Sequence, residues 1–171
     1  MRANKARRYE QRTVLLVGEG YAEVAFIEHL KTLYVSRGCG LALTVKNARG
    51  KGALHVVDVA IRQSRNAAFD VRAVLLDTDT DWNEKTQAMA RKAKVQVVPC
   101  RPCLEAMLLA LHGEMAQSKS SAQHKQAFAT RFGAQAHDAS VYARHFSFEL
   151  LEKARPGSPE LEQLLALLKP A

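Results

Sequence analysis

Cysteine is scarce in this sequence, which contains only Cys39, Cys100 and Cys103. A small, odd number of cysteines argues against a framework of disulfides. Cys100 and Cys103 form one Cys-x-x-Cys pair, but a tetrahedral zinc site needs two further ligands, and no second cysteine or histidine pair has matching spacing. The pair is therefore more typical of a structural position than of a zinc site, and a redox role stays open.

Aromatic residues and long apolar runs are also rare. Aromatics make up 6% of the chain, so no surface on which single-stranded bases would stack is evident. The apolar run at residues 14–17 is far too short to cross a bilayer, and the basic N-terminus is not followed by a cleavable signal peptide. These features predict a cytoplasmic protein without a membrane partner.

Positive charge is abundant. The 171 residues carry a net charge of +8 and the pI is about 9.6. This excess favours a polyanionic partner, DNA or RNA, over the alternative that the protein is basic for no specific reason. The length fits one domain with a hydrophobic core that needs no disulfide or structural metal.

Short β-rich runs alternate with helical patterns through the first two thirds of the chain. This alternation predicts an α/β, Rossmann-like fold with a mainly parallel four-stranded sheet flanked by helices. The predicted strands are residues 13–17, 41–45, 71–76 and 95–98, and the predicted helices are 22–36, one beginning after Gly52, 82–92 and 103–112.

The pattern changes after Gly113, where helical periods replace the alternation. Residues 114–131, 141–153 and 161–168 are predicted helices, the last with Ser158 as N-cap and Pro159 at its first position. We therefore divide the chain into a basic N-terminal arm (1–12), an α/β core (13–113) and a helical extension packed on that core (114–171).

Acidic residues follow three of the four predicted strands. Glu19 comes after the first, Asp77 and Asp79 after the third, and Glu105 shortly after the fourth. Ligands of open parallel sheets bind outside the carboxyl ends of the strands, so these side chains should converge at one edge. Glu19 on its own is also explained as an acid favoured by a helix N-terminus.

The segment Asp77-Thr78-Asp79-Thr80-Asp81 resembles a site for a hard metal ion. In an extended segment alternate side chains point the same way, so Asp77 and Asp79 would share one ion. Oxygen ligands suit Mg²⁺ or Mn²⁺, and crowded carboxylates are costly without a cation. Asp81 either joins them as a ligand or caps the next helix.

Together these motifs resemble the Toprim domain, and within it the RloB-like branch, which is related to the nuclease domain of the OLD family. The chain departs from that branch at Thr80, where another aspartate is common. The resemblance spans residues 14–113 and rests on four segments: VGEGYAEVAFIEHL, GKGALHVVDVA, LLDTDTD and PCRPCLEAMLLALHG.

The resemblance implies a Mg²⁺-dependent nuclease. Asp77 and Asp79 would hold the ion, Glu19 would act as general acid/base or ligand, and Glu23 and Glu105 are candidates for a second metal. It also implies a role in phage defence and allows for a partner ATPase protein.

Three further residues are candidates for contact with substrate. His112, seven residues after Glu105 on about the same helix face, would contact phosphate or transfer a proton, although a structural role is more typical of a histidine on an apolar helix. Lys51 precedes a helix start that suits phosphate binding, and Arg101 would clamp phosphate or pair with the acids. Ordinary surface charge is the alternative for both.

Two other functions compete with the nuclease. One is a non-catalytic Toprim-like module that binds nucleic acid or a protein partner. The other is a Mg²⁺-dependent phosphatase of the haloacid dehalogenase type with Asp77 as nucleophile, although that family places its Asp-x-Asp after the first strand.

Overall fold

A four-stranded, all-parallel sheet forms the centre of the protein, with strand order β2-β1-β3-β4. The computed structural model describes residues 11–79, 81–114 and 119–170. The predicted α/β, Rossmann-like class is confirmed. The strands are β1 (Arg12–Gly18), β2 (Leu41–Asn47), β3 (Val71–Asp77) and β4 (Gln96–Cys100).

Eight α-helices lie among the described residues. Four connect or follow the strands, and four come from the C-terminal third. They are α1 (Tyr21–Tyr34), α2 (Gly52–Asn66), α3 (Glu84–Lys92), α4 (Leu104–Leu111), α5 (Ser121–Phe132), α6 (Ala139–His145), α7 (Phe148–Ala154) and α8 (Pro159–Leu167), with a 3₁₀ turn at Arg155–Gly157.

The two faces of the sheet are buried under different helices. Along β1, Val14 and Leu16 pack into the larger cluster, which includes residues of α1, α4 and all the C-terminal helices. Leu15 and Val17 point the other way, into a cluster with α2 and α3. Both faces of a parallel strand are covered, which explains why the predicted strands are continuous apolar runs instead of alternating ones.

The predicted single helix at residues 141–153 is wrong, because the chain forms two helices there. Phe146 ends α6 and its fully buried ring lies 5.5 Å from Tyr142. The Ser147 hydroxyl then accepts the Leu150 N–H and starts α7. The chain therefore turns between Phe146 and Ser147, with Phe146 buried in the core.

The remaining boundaries differ in detail. The helix predicted at 114–131 begins at Ser121, where Ser120 and Gln123 form a reciprocal cap, while residues 115–118 lie outside the described part. Ser158 and Pro159 start α8 as predicted. Of the predicted arm, residues 1–10 lie outside the described part and Arg12 opens β1. No helix in the described residues is both long and apolar enough to cross a membrane.

A candidate carboxylate site at the end of the sheet

The strand order places a crevice between the ends of β1 and β3. From β1 the chain moves to β2 on one side by way of α1, and from β2 it returns through α2 to β3 on the other side. Connections that leave two neighbouring strands on opposite faces open a cleft at their carboxyl ends, where doubly wound proteins bind ligands. Glu19 and Asp77 lie at these two ends.

Glu19 bridges the two strands. Its side-chain Oε2 accepts the Asp77 backbone N–H at 2.9 Å, and its own backbone N–H donates to the Leu75 carbonyl at 3.0 Å. Burial raises the pKa of Glu19, and the negative charges of Asp79 and Asp81 raise it further. The side chain is therefore a carboxylate that holds a proton more readily than usual.

Glu23 lies behind Glu19 on the first turn of α1. It is 6% exposed, and its Oε2 accepts the Gly20 N–H at 2.8 Å. Burial, with smaller contributions from Glu19 and Glu105, raises the pKa of Glu23 to about 7. Gly18 is required beside it, since a Cβ at that position would lie 2.9 Å from Glu23 Cβ.

Asp77 is the centre of the site. It is 7% exposed, its Oδ1 accepts the Leu104 N–H at 2.9 Å, and its Oδ2 lies 3.8 Å from Nζ of Lys125. Burial raises the pKa of Asp77 to about 8, and Glu23 and Glu19 add to the effect. The carboxylate thus lies in a position where its charge is poorly compensated by the protein.

Glu105 completes the group from the first turn of α4. It is 7% exposed and interacts with the Cys103 thiol. Burial first, and then Glu105 and Asp77, raise the pKa of Cys103 to about 12, so the thiol keeps its proton. A protonated, buried thiol is a poor nucleophile, which favours the structural interpretation of the Cys-x-x-Cys pair.

These carboxylates line one cavity of about 370 Å³, and its opposite wall comes from the C-terminal third. Lys125 on α5 faces Asp77 and also interacts with Glu105 and Glu23, while Gln135 and His137 line the same wall. Sequence reasoning missed Lys125. Its only local signal was a lysine in a polar helix, and its role depends on how α5 packs on α4.

Asp79 and Asp81 do not continue the arrangement that their spacing predicted. The strand ends at Asp77, where the Thr78 N–H donates to the Cys100 and Pro102 carbonyls. The chain bends there, so the premise of an extended acidic segment is wrong. Asp79 is exposed at the rim of the site, close enough to raise the pKa of Glu19, and Thr80 lies outside the described residues.

Asp81 has a different place from the one predicted. Its Oδ1 accepts the Ala53 N–H at 2.5 Å and its Oδ2 accepts the Leu54 N–H at 3.2 Å, so it caps α2. The helix after it, α3, is capped by Asn83. The prediction that Asp81 caps a helix is correct, but the helix is α2 and not the next one along the chain.

Lys51 lies directly before α2, as predicted, with its side chain exposed. The argument for phosphate binding there used the free N–H groups of the first helical turn. Asp81 already accepts two of these groups, at Ala53 and Leu54, so the helix terminus does not offer them to phosphate. What remains for Lys51 is its own charge, next to Gly50 in the cavity wall.

His112 and Arg101 lie away from the carboxylates. Both line a second cavity of about 540 Å³, between α4 and the segment from α7 to α8. His112 caps the C-terminal end of α4, about two turns along the helix from Glu105, and its ring packs 4.9 Å from the rings of Phe132 and Phe146. The prediction that His112 shares a site with Glu105 is wrong for this reason.

Arg101 is an exposed residue that pairs with Glu160, its Nη1 lying 3.6 Å from the carboxylate Oε1. Both residues belong to the rim of the second cavity. The predicted pairing of Arg101 with the carboxylates Glu19, Asp77 and Glu105 is therefore not present, because the turn after β4 carries Arg101 to the outside of the sheet end.

The carboxylates that line the first cavity are of the type that binds a divalent cation, but they are not arranged as a metal site in this structure. Within the described residues, no three His, Cys, Asp or Glu side chains are already arranged to hold a metal ion. The donors that line the cavity are oxygens, which Mg²⁺ and Mn²⁺ prefer. The ammonium of Lys125 already places a positive charge beside Asp77.

This chain matches no protein-family model, and no curated protein or solved structure is significantly similar to it. The case for a function therefore rests on the site itself and on the sequence motifs that resemble the Toprim domain.

Proposed function

We propose that this protein is a Mg²⁺- or Mn²⁺-dependent phosphodiesterase that cuts nucleic acid. The observation that supports the proposal is the convergence of Glu19, Glu23, Asp77 and Glu105 at the crevice between β1 and β3. Two of these carboxylates have pKa values raised to about 7 and 8 by burial and mutual repulsion. Such a group favours a cation, and perturbed acids in a cleft are typical of active sites.

Asp77, Glu23 and Glu105 would hold the metal, with Asp79 at the rim as a further ligand. A divalent ion bound there would stabilise negative charge on the phosphoryl oxygens and lower the pKa of a bound water. Lys125, whose Nζ lies 3.8 Å from Asp77 Oδ2, would turn its ammonium from Asp77 to a phosphate oxygen. Glu19, with its raised pKa, would exchange a proton with the attacking water or the leaving oxygen.

The charge of the whole chain supports a polyanionic substrate. A net charge of +8 attracts nucleic acid from a distance and weakens binding as salt rises. The role in phage defence, the partner ATPase and the cytoplasmic location stay predictions that rest on sequence alone.

One observation favours the non-catalytic binding module instead. Lys125 already compensates part of the charge of Asp77, so the site exists without a metal. The phosphatase alternative has less support, because Asp77 is 7% exposed and its Oδ1 is held by Leu104, which leaves it poorly placed as a nucleophile.

Cleavage of labelled single- and double-stranded DNA and RNA tests the proposal. The assays compare Mg²⁺, Mn²⁺ and EDTA, with Asp77→Asn as the variant. We expect metal-dependent cutting that Asp77→Asn lowers by roughly a hundredfold or more, since charge stabilisation in the transition state depends on this residue.

The matched control is Asp58→Asn on α2, an exposed aspartate that pairs with Arg62 at 2.8 Å. It should cut like the wild-type protein. Absence of cutting, together with absence of Mn²⁺ binding by calorimetry, would contradict the proposal. If the protein neither cuts nor binds Mn²⁺ but still binds nucleic acid, the result would favour the non-catalytic binding module.

A further inference from the structure

Tyr21 is an unusually exposed aromatic residue for this protein. Its side chain is 69% exposed, whereas Phe26, Phe128, Phe132, Tyr142 and Phe146 are all buried in the core. Among the described residues Phe148 is the other exposed aromatic residue, at 45%, so the significance of Tyr21 depends on its position and not on its exposure alone.

The position of Tyr21 is the mouth of the carboxylate cavity. The residue lines the cavity together with Glu19, Glu23 and Asp77. It is the first residue of α1, and the hydrogen bond from the Gly20 N–H to Glu23 fixes the backbone beside it. The ring is therefore carried by a rigid helix terminus, next to the groups proposed to bind the scissile phosphate.

Within the described part of the chain, the Tyr21 ring stacks on no other aromatic ring and on no cation. The aromatic contacts there join core rings or, for the exposed Phe148, the neighbouring Tyr34 at 5.2 Å. The Tyr21 hydroxyl takes part in none of the hydrogen bonds found among these residues. One face of the ring is thus available to a ligand in the cavity.

Positive charges flank the same opening. Gly50 lines the cavity, its neighbours in sequence Arg49 and Lys51 have exposed side chains, and the Gly50 N–H donates to the Glu19 carbonyl at 2.7 Å. Lys125 is on the opposite wall. Cations along a groove with an aromatic ring beside it are the combination by which proteins bind single strands, since phosphates meet the charges and bases stack on the ring.

We propose that Tyr21 stacks on an unpaired base next to the phosphate bound at the carboxylates, so that the substrate is single-stranded nucleic acid. The inference deepens the proposed function and rests on it for the position of the phosphate. A base paired within a duplex has its faces covered by its neighbours, so stacking on Tyr21 selects strands or ends whose bases are free.

The test compares two single strands of equal length and charge. One carries normal bases, and the other carries abasic tetrahydrofuran residues. Binding is measured by fluorescence anisotropy both in EDTA and in Mn²⁺, and cutting in Mn²⁺, for DNA and RNA versions of the normal strand. We expect the wild-type protein to prefer the strand with bases, and Tyr21→Ala to lose roughly five- to a hundredfold in affinity for that strand alone.

Two variants serve as controls. Tyr21→Phe keeps the ring and should keep the preference. Phe148→Ala removes an exposed ring that does not line the cavity and should also keep it. Circular dichroism of each variant establishes that the fold is unchanged.

The outcomes separate the two proposals. If the preference for bases is absent from the wild type, or persists in Tyr21→Ala, the role of Tyr21 is wrong even where cutting is observed. If the preference exists and Tyr21→Ala abolishes it, but no metal supports cutting, the role of Tyr21 stands and the nuclease proposal fails. A wild-type protein that neither binds nor cuts these strands overturns both.

Discussion

Neutralising Glu23 should make the metal-free protein more stable at alkaline pH. Glu23→Gln keeps the size of the side chain and leaves an oxygen to accept the Gly20 N–H. What it removes is a buried negative charge beside Glu19 and Glu105. A catalytic or metal-binding group is stabilising only when its ligand is present, so its removal improves the stability of the empty fold.

The direction follows from the pKa shift. The pKa of Glu23 is about 7 in the folded protein and 4.5 in the unfolded chain. The folded state therefore binds this proton more tightly, and the stability that Glu23 contributes is complete below about pH 4.5 and lost as the pH rises through about 7. At pH 8 the wild-type protein should be less stable than Glu23→Gln by about 3 kcal/mol, and at pH 5 by less than about 1 kcal/mol.

Urea unfolding followed by circular dichroism at pH 5 and pH 8, in EDTA, measures both differences. For a chain of this length the difference at pH 8 corresponds to a rise in Tm of roughly 6–12 °C. The matched control is Glu28→Gln on the same helix, an exposed glutamate near Lys31, which should change stability by less than about 0.5 kcal/mol at either pH.

Addition of Mg²⁺ at pH 8 should then stabilise the wild-type protein more than Glu23→Gln, because a cation offsets the repulsion that the variant has already removed. The reasoning is refuted if Glu23→Gln is no more stable than the wild type at pH 8 in EDTA. Such a result would mean that Glu23 ionises in the folded protein without cost, so that neither its burial nor the neighbouring carboxylates raise its pKa.

Two further predictions concern the residues that the structure places outside the site. Asp81→Ala should lower the free energy of unfolding, measured in urea, by about 1 kcal/mol, because the α2 cap is lost. The Mn²⁺ affinity measured by calorimetry should stay within a few-fold of wild type, whereas a complete loss of Mn²⁺ binding would make Asp81 a ligand. His112→Leu should leave cleavage unchanged. It should also lose less free energy of unfolding than the wild type between pH 7 and pH 5, because burial lowers the pKa of His112 and its protonation disfavours the fold. A cleavage rate lowered tenfold or more would contradict its structural role.

The sequence by itself determined the sheet and the two ends that frame the site. Mainly apolar runs such as 71–76 have the length of strands, and segments with helical periodicity separate them. Both features can be recognised from residues close together in the sequence. Glu19 and Asp77 follow from the same information, since parallel strands bring their carboxyl ends to one edge whatever the rest of the chain does. Glu23 and Glu105 come with them because each lies on the first turn of the helix that follows a strand.

Other parts of the site depended on tertiary structure. Lys125 lies 48 residues after Asp77 in the sequence, on a polar helix whose pattern gives no sign of which neighbour it faces, and only the packing of α5 on α4 brings its charge to the acids. His112 and Asp81 were misjudged for a related reason. Their local spacing allowed two partners. The choice was made for His112 by the rings of Phe132 and Phe146 that pack against it, and for Asp81 by the N-terminus of α2, which lies 27 or 28 residues earlier in the chain. Local periodicity determines which elements form, whereas the partners of a polar side chain are decided by which elements meet.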